Sequence, residues 1–201
     1  MLPPQARRAL AKPYKPSNVY LRQATLPEGL RRVAVLPVPA SREDASQAAG
    51  AGLLQPLFLD ELSKRHAFEL LALSPAQVRD ATGSETWEPE DSLPHDFFER
   101  LTRATGCDGV MFVSVTAFQA YPPLRTGWKT RLVDCARHQT WWAVDEVFDA
   151  GAVSVAAAAD AYARADLNLP NALLADTGVL HSPRRFGQYT AHAVTGTLPC
   201  R

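Results

Sequence analysis

The stretch that decides the fold runs from Gly109 to Phe148 and reads GVMFVSVTAFQAYPPLRTGWKTRLVDCARHQTWWAVDEVF. Val110 to Phe118 is an apolar run rich in Val and Phe, which is typical of a buried central strand. Residues 126–134 and 140–148 alternate between two sets of side chains, as half-buried strands do. Three strands joined by short loops predict an antiparallel meander at the centre of the domain.

The predicted meander carries three of the chain's four tryptophans, Trp128, Trp141 and Trp142. Because side chains alternate along a strand, Trp141 and Trp142 point to opposite faces, and at least one of them belongs to the core. Two readings stay open: all three indoles fill the core, or one of them lies in a protein interface. The predicted interaction surface consists of Tyr121, Arg125, Trp128, Trp141 and Arg184.

The sequence before the meander predicts a βαβ unit. Residues 31–38, RRVAVLPV, predict a strand buried on both faces, and residues 68–73 predict a second strand. A helix is predicted between them over residues 44–66, with Ser41 as its N-cap. A strand, a helix and a strand in this order form a parallel pair with a right-handed crossover.

Helix start and stop signals mark the remaining elements. Ser74-Pro75 and Ser182-Pro183 each place a capping residue before a proline at the first helical position. Gly106 ends a helix predicted over 95–105; the Ala-rich residues 153–165 predict another helix, and residues 168–182 an irregular connection. The predicted fold class is α/β: a single-domain sandwich of two or three layers. Its mixed sheet combines the N-terminal βαβ unit with the antiparallel meander, and helices follow at the C-terminus.

Length and composition bound the class of protein. The 201 residues fit one domain, predicted over 30–201, after an extended Pro-rich arm or linker over 1–29. Lys plus Arg and Asp plus Glu number 21 each, which argues against a general nucleic-acid binder. The basic residues of the arm leave two readings open, a solvated tether or an arm beside an anionic membrane surface. There is no run of about 18 apolar residues that would predict a transmembrane helix.

Motifs of enzyme chemistry are weak or missing. Gly50-Ala51-Gly52 has Gln55 where a dinucleotide fingerprint needs its third glycine, and it lies inside a predicted helix. The chain contains no HExxH zinc motif and no GxSxG elbow. Asp145 and Glu146 point to opposite faces of one strand, so we expect them to pair with strand cations. The sequence therefore predicts no catalytic residue, no cofactor and no metal site. A hydrolase-like enzyme with a site beside the Gly83–Pro94 loop, near the strand ends, stays as the alternative.

The three cysteines are Cys107, Cys135 and Cys200, an odd number that excludes a complete disulfide framework. Cys107 opens one predicted strand and Cys135 ends another, so both are predicted as small core residues. A bridge between them requires that these two strands are neighbours.

The order of these elements resembles a bacterial lipoprotein group. That group includes the curli-assembly lipoprotein, the penicillin-binding-protein activator lipoproteins and the amino-terminal domain of the Tol periplasmic translocation protein. The matching segments are Arg32–Val38, Phe68–Gln77 and Ala104–Gly151, about half of the chain.

The resemblance implies an α/β sandwich held at the membrane only through a lipid anchor on a Cys upstream of this sequence. It implies a periplasmic, outer-membrane-anchored location and a non-catalytic binding or assembly role with an envelope protein partner. It is compatible with a homo-oligomer.

Overall fold

The computed structural model describes residues 14–40, 45–166 and 178–201. Within these residues, six strands form one mixed sheet and five helices pack on it. The strands are β1 (Val19–Leu21), β2 (Arg32–Val35), β3 (Glu69–Ala72), β4 (Gly109–Gln119), β5 (Arg125–Asp134) and β6 (Thr140–Asp149). The helices are α1 (Ala45–Ser63), α2 (Pro75–Thr82), α3 (Phe97–Thr105), α4 (Val153–Asp166) and α5 (Pro183–Thr195).

The strands lie in the order β1-β6-β5-β4-β2-β3. β2 runs parallel to both β3 and β4, and β4, β5 and β6 pair antiparallel as consecutive neighbours. This arrangement confirms the predicted α/β class, the βαβ unit and the meander. β1 pairs antiparallel with β6 and was not predicted, because three residues are too short to show an alternating pattern.

The local capping signals act as the sequence predicts. The Ser74 hydroxyl accepts a hydrogen bond from the Gln77 N–H at 3.3 Å, and the Gln77 side chain accepts one from the Ser74 N–H at 2.9 Å. This reciprocal pair is a capping box that begins α2. Gly106 ends α3 in the left-handed conformation, with φ 68°. The predicted N-cap Ser41 and most of the predicted irregular segment, residues 167–177, lie outside the described residues.

The sheet is covered unequally on its two faces. α1, α4 and α5 pack on the first face, where the sheet contributes Met111, Trp128, Leu132, Trp142, Val144 and Phe148 to one buried cluster. α2 and α3 pack on the second face, where the sheet contributes Ala34, Val110, Phe112 and Val133 to another. The domain therefore has three layers over β2 and β4, as the sandwich prediction allowed.

Hydrogen bonds to a carboxylate of β6 hold the described part of the arm against the sheet. Glu146 accepts hydrogen bonds from the backbone N–H of Ser17 at 2.7 Å and of Asn18 at 3.2 Å. The Tyr14 ring packs edge-on against Phe148, with ring centroids 5.4 Å apart. Burial raises the pKa of Glu146, but hydrogen bonds from Tyr14 and these N–H groups outweigh it and hold the pKa below its ordinary value. The division of the chain at residue 30 stays a prediction.

A small residue, Gly50, lets α1 approach the sheet. A Cβ added at Gly50 would lie 2.6 Å from Cγ and 2.7 Å from Cβ of Phe118, near the root of that side chain. A Cβ added at Gly52 would meet no atom within 4 Å. The two glycines share one helix and differ in what lies beside them.

We expect Gly50→Ala to lower the free energy of unfolding by about 1–3 kcal/mol, because Phe118 or α1 must move to admit the methyl group. Gly52→Ala is the matched control. It should raise the free energy of unfolding by about 0.5–1 kcal/mol, since alanine loses less backbone entropy in a helix. Urea unfolding of both variants measures the difference, and equal stabilisation by both would contradict the close contact.

Candidate functional site

A groove of about 740 Å³ lies between the arm, α4 and α5. Its polar and aromatic wall consists of Tyr14, Lys15, Arg65, Tyr162, Tyr189 and His192. Among the described residues, the ionisable side chains that line it are cationic or neutral, with no carboxylate. Because it combines depth with convergent polar groups, it is the first place where ligand binding or catalysis would be sought.

A buried carboxylate, Glu61 of α1, lies beneath this groove with its side chain 1% exposed. Its Oε1 accepts hydrogen bonds from Lys64 Nζ at 2.7 Å, Tyr162 OH at 3.1 Å and Gln188 Nε2 at 3.4 Å. Its Oε2 lies 3.0 Å from Nδ1 of His192. We call these five residues the Glu61 cluster, which joins α1 to α4 and α5.

Both carboxylate oxygens of Glu61 have hydrogen-bond partners within the Glu61 cluster. Burial raises the pKa of the Glu61 carboxyl, but hydrogen bonds from Lys64, His192 and Tyr162 together outweigh it, so the pKa lies below its ordinary value. A general base needs an oxygen that faces the proton to be removed, and both oxygens of Glu61 already face protein donors. The cluster therefore joins three helices and shapes the wall of the groove.

Sequence reasoning missed the Glu61 cluster because its members are distant in the chain. One signal was present: Glu61 falls between Phe58 and Leu62 on the apolar side of α1, where a charge is rarely left unpaired. The partners on α4 and α5 have no such signal, since tyrosine, glutamine and histidine are ordinary residues on a helix surface.

The predicted interaction residues divide into two groups. Tyr121 is 81% exposed, and Arg125 and Arg184 are exposed as well. Trp128 is fully buried, with its ring centroid 5.2 Å from that of Phe58. Trp141 is 6% exposed.

The two tryptophans are therefore corrected to core residues. Trp128 faces the layer of α1 and α5, and the guanidinium of Arg22 lies over the Trp141 ring at 5.8 Å. Neither indole offers the free face that a partner would need. Tyr121, Arg125 and Arg184 stay as predicted contact residues.

The Gly83–Pro94 loop, where the alternative enzyme site was predicted, meets the sheet through an ion pair. Glu90 pairs with Lys129 of β5, and Lys129 also pairs with Asp145 of β6 at 3.2 Å. Asp145 thus has the cross-strand partner that the sequence predicted, whereas Arg131 lies over the Phe112 ring instead. The depression between loop and sheet measures about 190 Å³, and its carboxylates are already paired with a lysine.

The second face of β5, β6 and β1 is a further functional candidate. Register places Tyr20 beside Ala143, Lys129 beside Asp145, and Gly127 beside Val147, all facing away from α1, α4 and α5. We call this surface the open face and define it by Tyr20, Lys129, Ala143, Asp145 and Val147. Among the described residues, no helix covers it, and Tyr20 is 50% and Val147 40% exposed.

Metal-binding clusters and membrane-spanning helices are both absent from residues 14–40, 45–166 and 178–201. Nowhere in them do three or more His, Cys, Asp or Glu side chains come together as metal ligands. None of the helices described there has the length and apolar character needed to cross a membrane.

The fold has counterparts among solved structures. The PelC dodecamer from Paraburkholderia phytofirmans matches with a TM-score of 0.50 and 9% identity, over 91% of this chain and 98% of that one. Lipoprotein GNA1162 from Neisseria meningitidis matches with a TM-score of 0.39 and 18% identity, over 71% and 98% of the two chains. The hypothetical protein CT253 from Chlamydia trachomatis matches with a TM-score of 0.35 and 21% identity, over 59% of this chain and 69% of that one.

The PelC match shows that this α/β fold occurs elsewhere along nearly the full length of both chains. The other two scores describe a partial likeness, and we infer nothing from them. No protein-family model matches the chain, and no curated protein sequence matches it.

The Glu61 cluster can be tested by removing its charge. We expect Glu61→Gln to lower the free energy of unfolding at pH 7 by about 2–4 kcal/mol, because the amide has no negative charge and keeps only one acceptor oxygen for the donors that surround the carboxylate. Asp60→Asn is the matched control: Asp60 also pairs with Lys64, at 2.8 Å, but its side chain is 53% exposed. Asp60→Asn should lower the free energy of unfolding by less than about 1 kcal/mol.

The same variants predict a pH dependence. The pKa of Glu61 is lower in the folded protein than its ordinary value of 4.5, so its stabilisation is complete above that value. The stabilisation is lost as pH falls through the folded pKa. The difference in free energy of unfolding between wild type and Glu61→Gln should therefore become smaller below pH 4.5. Chemical denaturation at several pH values measures this difference, and a difference that stays constant from neutral to acid pH would contradict an ionised Glu61.

Proposed function

We propose that this chain is a non-catalytic domain of a cell-envelope lipoprotein that acts as an assembly module, binding further copies of itself through the open face. The observation that carries the proposal is the unequal covering of the sheet. Among the described residues, helices cover the first face along the meander, whereas on the second face they pack only over β2 and β4. Glu90 of the Gly83–Pro94 loop reaches Lys129 of β5 on that second face, and Tyr20 and Val147 stay exposed.

The chemistry of the open face suits a protein partner. Tyr20 and Val147 supply exposed apolar surface, and a large apolar contact area is what drives most protein association. Tyrosine is enriched in interfaces because it joins a large ring to one polar atom.

The charges of the open face favour a second copy of the chain as the occupant. Lys129 pairs with Asp145, and Arg125 lies 3.6 Å from Asp149, so both signs are present in cross-strand pairs. The whole chain has a formal net charge of zero. Copies of such a surface do not repel each other, whereas a face of one sign would require a partner of the opposite sign.

Two further observations support the proposal. The solved protein that shares this fold over 91% of the chain is a dodecamer, so the fold is compatible with closed assembly. The resemblance of RRVAVLPV and of the meander to an envelope lipoprotein group supports the location and the accessory role.

We expect Val147→Asp to weaken self-association by about 10-fold or more, since the interface would bury an unpaired carboxylate. Val153→Asp is the matched control, because Val153 is 46% exposed at the start of α4, away from the open face. It should assemble as the wild type does. Native mass spectrometry over a dilution series measures both, and thermal melting checks that each variant folds.

Two outcomes would contradict assembly through the open face. One is a wild-type chain that stays monomeric at its highest soluble concentration. The other is equal behaviour of the Val147 and Val153 variants.

The envelope location has its own test. We expect the full-length gene product, expressed in its host with a labelled fatty acid, to carry the label and to fractionate with the outer membrane. A soluble product without label would contradict the lipoprotein assignment and leave the assembly result unaffected.

A further inference from the structure

Cys107 and Cys135 lie side by side where β4 begins and β5 ends. Their sulfur atoms are 3.9 Å apart. The backbone keeps them there, because the Cys135 N–H donates to the Asp108 carbonyl at 2.9 Å and Gly109 pairs with Asp134 in the β4–β5 register. The two strands are the neighbours that a bridge requires, and the sulfurs must approach from 3.9 Å to about 2 Å to form it.

A groove of about 900 Å³ gives reagents access to the pair. Cys107 is buried and Cys135 is half-buried, and both line this groove. A small thiol or disulfide that enters the groove therefore meets both cysteines.

The contact between the two thiols shifts their pKa values in opposite directions. A hydrogen bond from Cys135 is the largest cause that lowers the pKa of Cys107 to about 6; burial opposes it, and Thr105 and Thr102 add hydrogen bonds. The pKa of Cys135 is raised, because its proton is held by the Cys107 sulfur and because it is buried. The hydrogen bond therefore favours the thiolate form of Cys107, and the thiolate is the reactive form in disulfide exchange.

We propose that Cys107 and Cys135 are a dithiol–disulfide pair that closes the β4–β5 hairpin when oxidised, and that Cys200 takes no part. This inference goes beyond the assembly role and does not depend on it. An oxidising compartment such as the proposed periplasm would hold the pair in its bridged form.

The chemistry needs an external disulfide as oxidant, either a small one such as oxidised glutathione or a dithiol oxidase. A thiolate of the pair attacks one sulfur of that disulfide, forms a mixed disulfide and releases one thiolate of the reagent. The second cysteine loses its proton to water and attacks the protein sulfur of the mixed disulfide. The protein disulfide forms, the second reagent thiolate leaves, and two electrons have passed from the protein to the reagent.

The test uses the full chain with Cys200→Ser, which removes pairing between molecules. Native protein is equilibrated with mixtures of reduced and oxidised glutathione, and free thiols are tagged with a maleimide and counted by mass spectrometry. We expect both thiols to disappear together as the mixture becomes oxidising, with loss of two hydrogen atoms and a linked Cys107–Cys135 peptide. Cys107→Ser and Cys135→Ser in the same background should form only mixed disulfides with glutathione.

Thermal melting gives a second readout. The oxidised chain should melt about 5 °C or more above the reduced chain, because the bridge restricts the unfolded state across the whole hairpin. The two serine variants should show no such shift between the same mixtures.

Either of two results would overturn the inference. Both thiols could stay fully reactive in oxidising glutathione while the protein is folded. Alternatively, oxidation could stop at mixed disulfides in the chain that keeps both cysteines. Both results are independent of whether Val147→Asp alters assembly.

Discussion

Two buried indoles connect the C-terminal part of the chain to the centre of the sheet. The Trp128 N–H donates to the Thr190 hydroxyl at 2.9 Å, and the Trp142 N–H donates to the Thr197 hydroxyl at 2.9 Å. Both rings are fully buried, so each N–H would cost about 1–3 kcal/mol if it had no acceptor. These bonds place α5 over β5 and β6 on the first face, and the helices that remain cover only part of the second face.

Two carboxylates, Glu61 and Glu146, also join elements of the fold on the first face of the sheet. The Glu61 cluster joins α1 to α4 and α5, and Glu146 holds the arm against β6. Each carboxylate is surrounded by donors that hold its pKa below the ordinary value. Groups that in another protein would serve acid–base chemistry are here engaged in joining elements of the fold. Function is then best sought on the surface that these contacts leave uncovered.

The features that the sequence predicted well are those encoded by neighbouring residues. The alternation in residues 126–134 and 140–148 assigned side chains to the two faces of the sheet correctly, although Val133 and Trp141 are buried on the second face as well. The Ser-Pro pairs and Gly106 marked helix ends. The features it missed depend on residues distant in the chain. β1 exists because three residues pair with β6, and Trp141 is covered because Arg22 from that segment lies over it. The open face likewise follows from where helices are absent, which no local pattern records.

The location of the subunit contacts is the point on which the proposed role depends most directly. A cryo-electron microscopy structure of the full-length protein, purified in its assembled form, would show these contacts. We expect a closed symmetric assembly in which Tyr20 and Val147 are buried against a neighbouring copy. Particles whose copies meet through other surfaces, with Tyr20 and Val147 left in solvent, would contradict the role assigned to the open face.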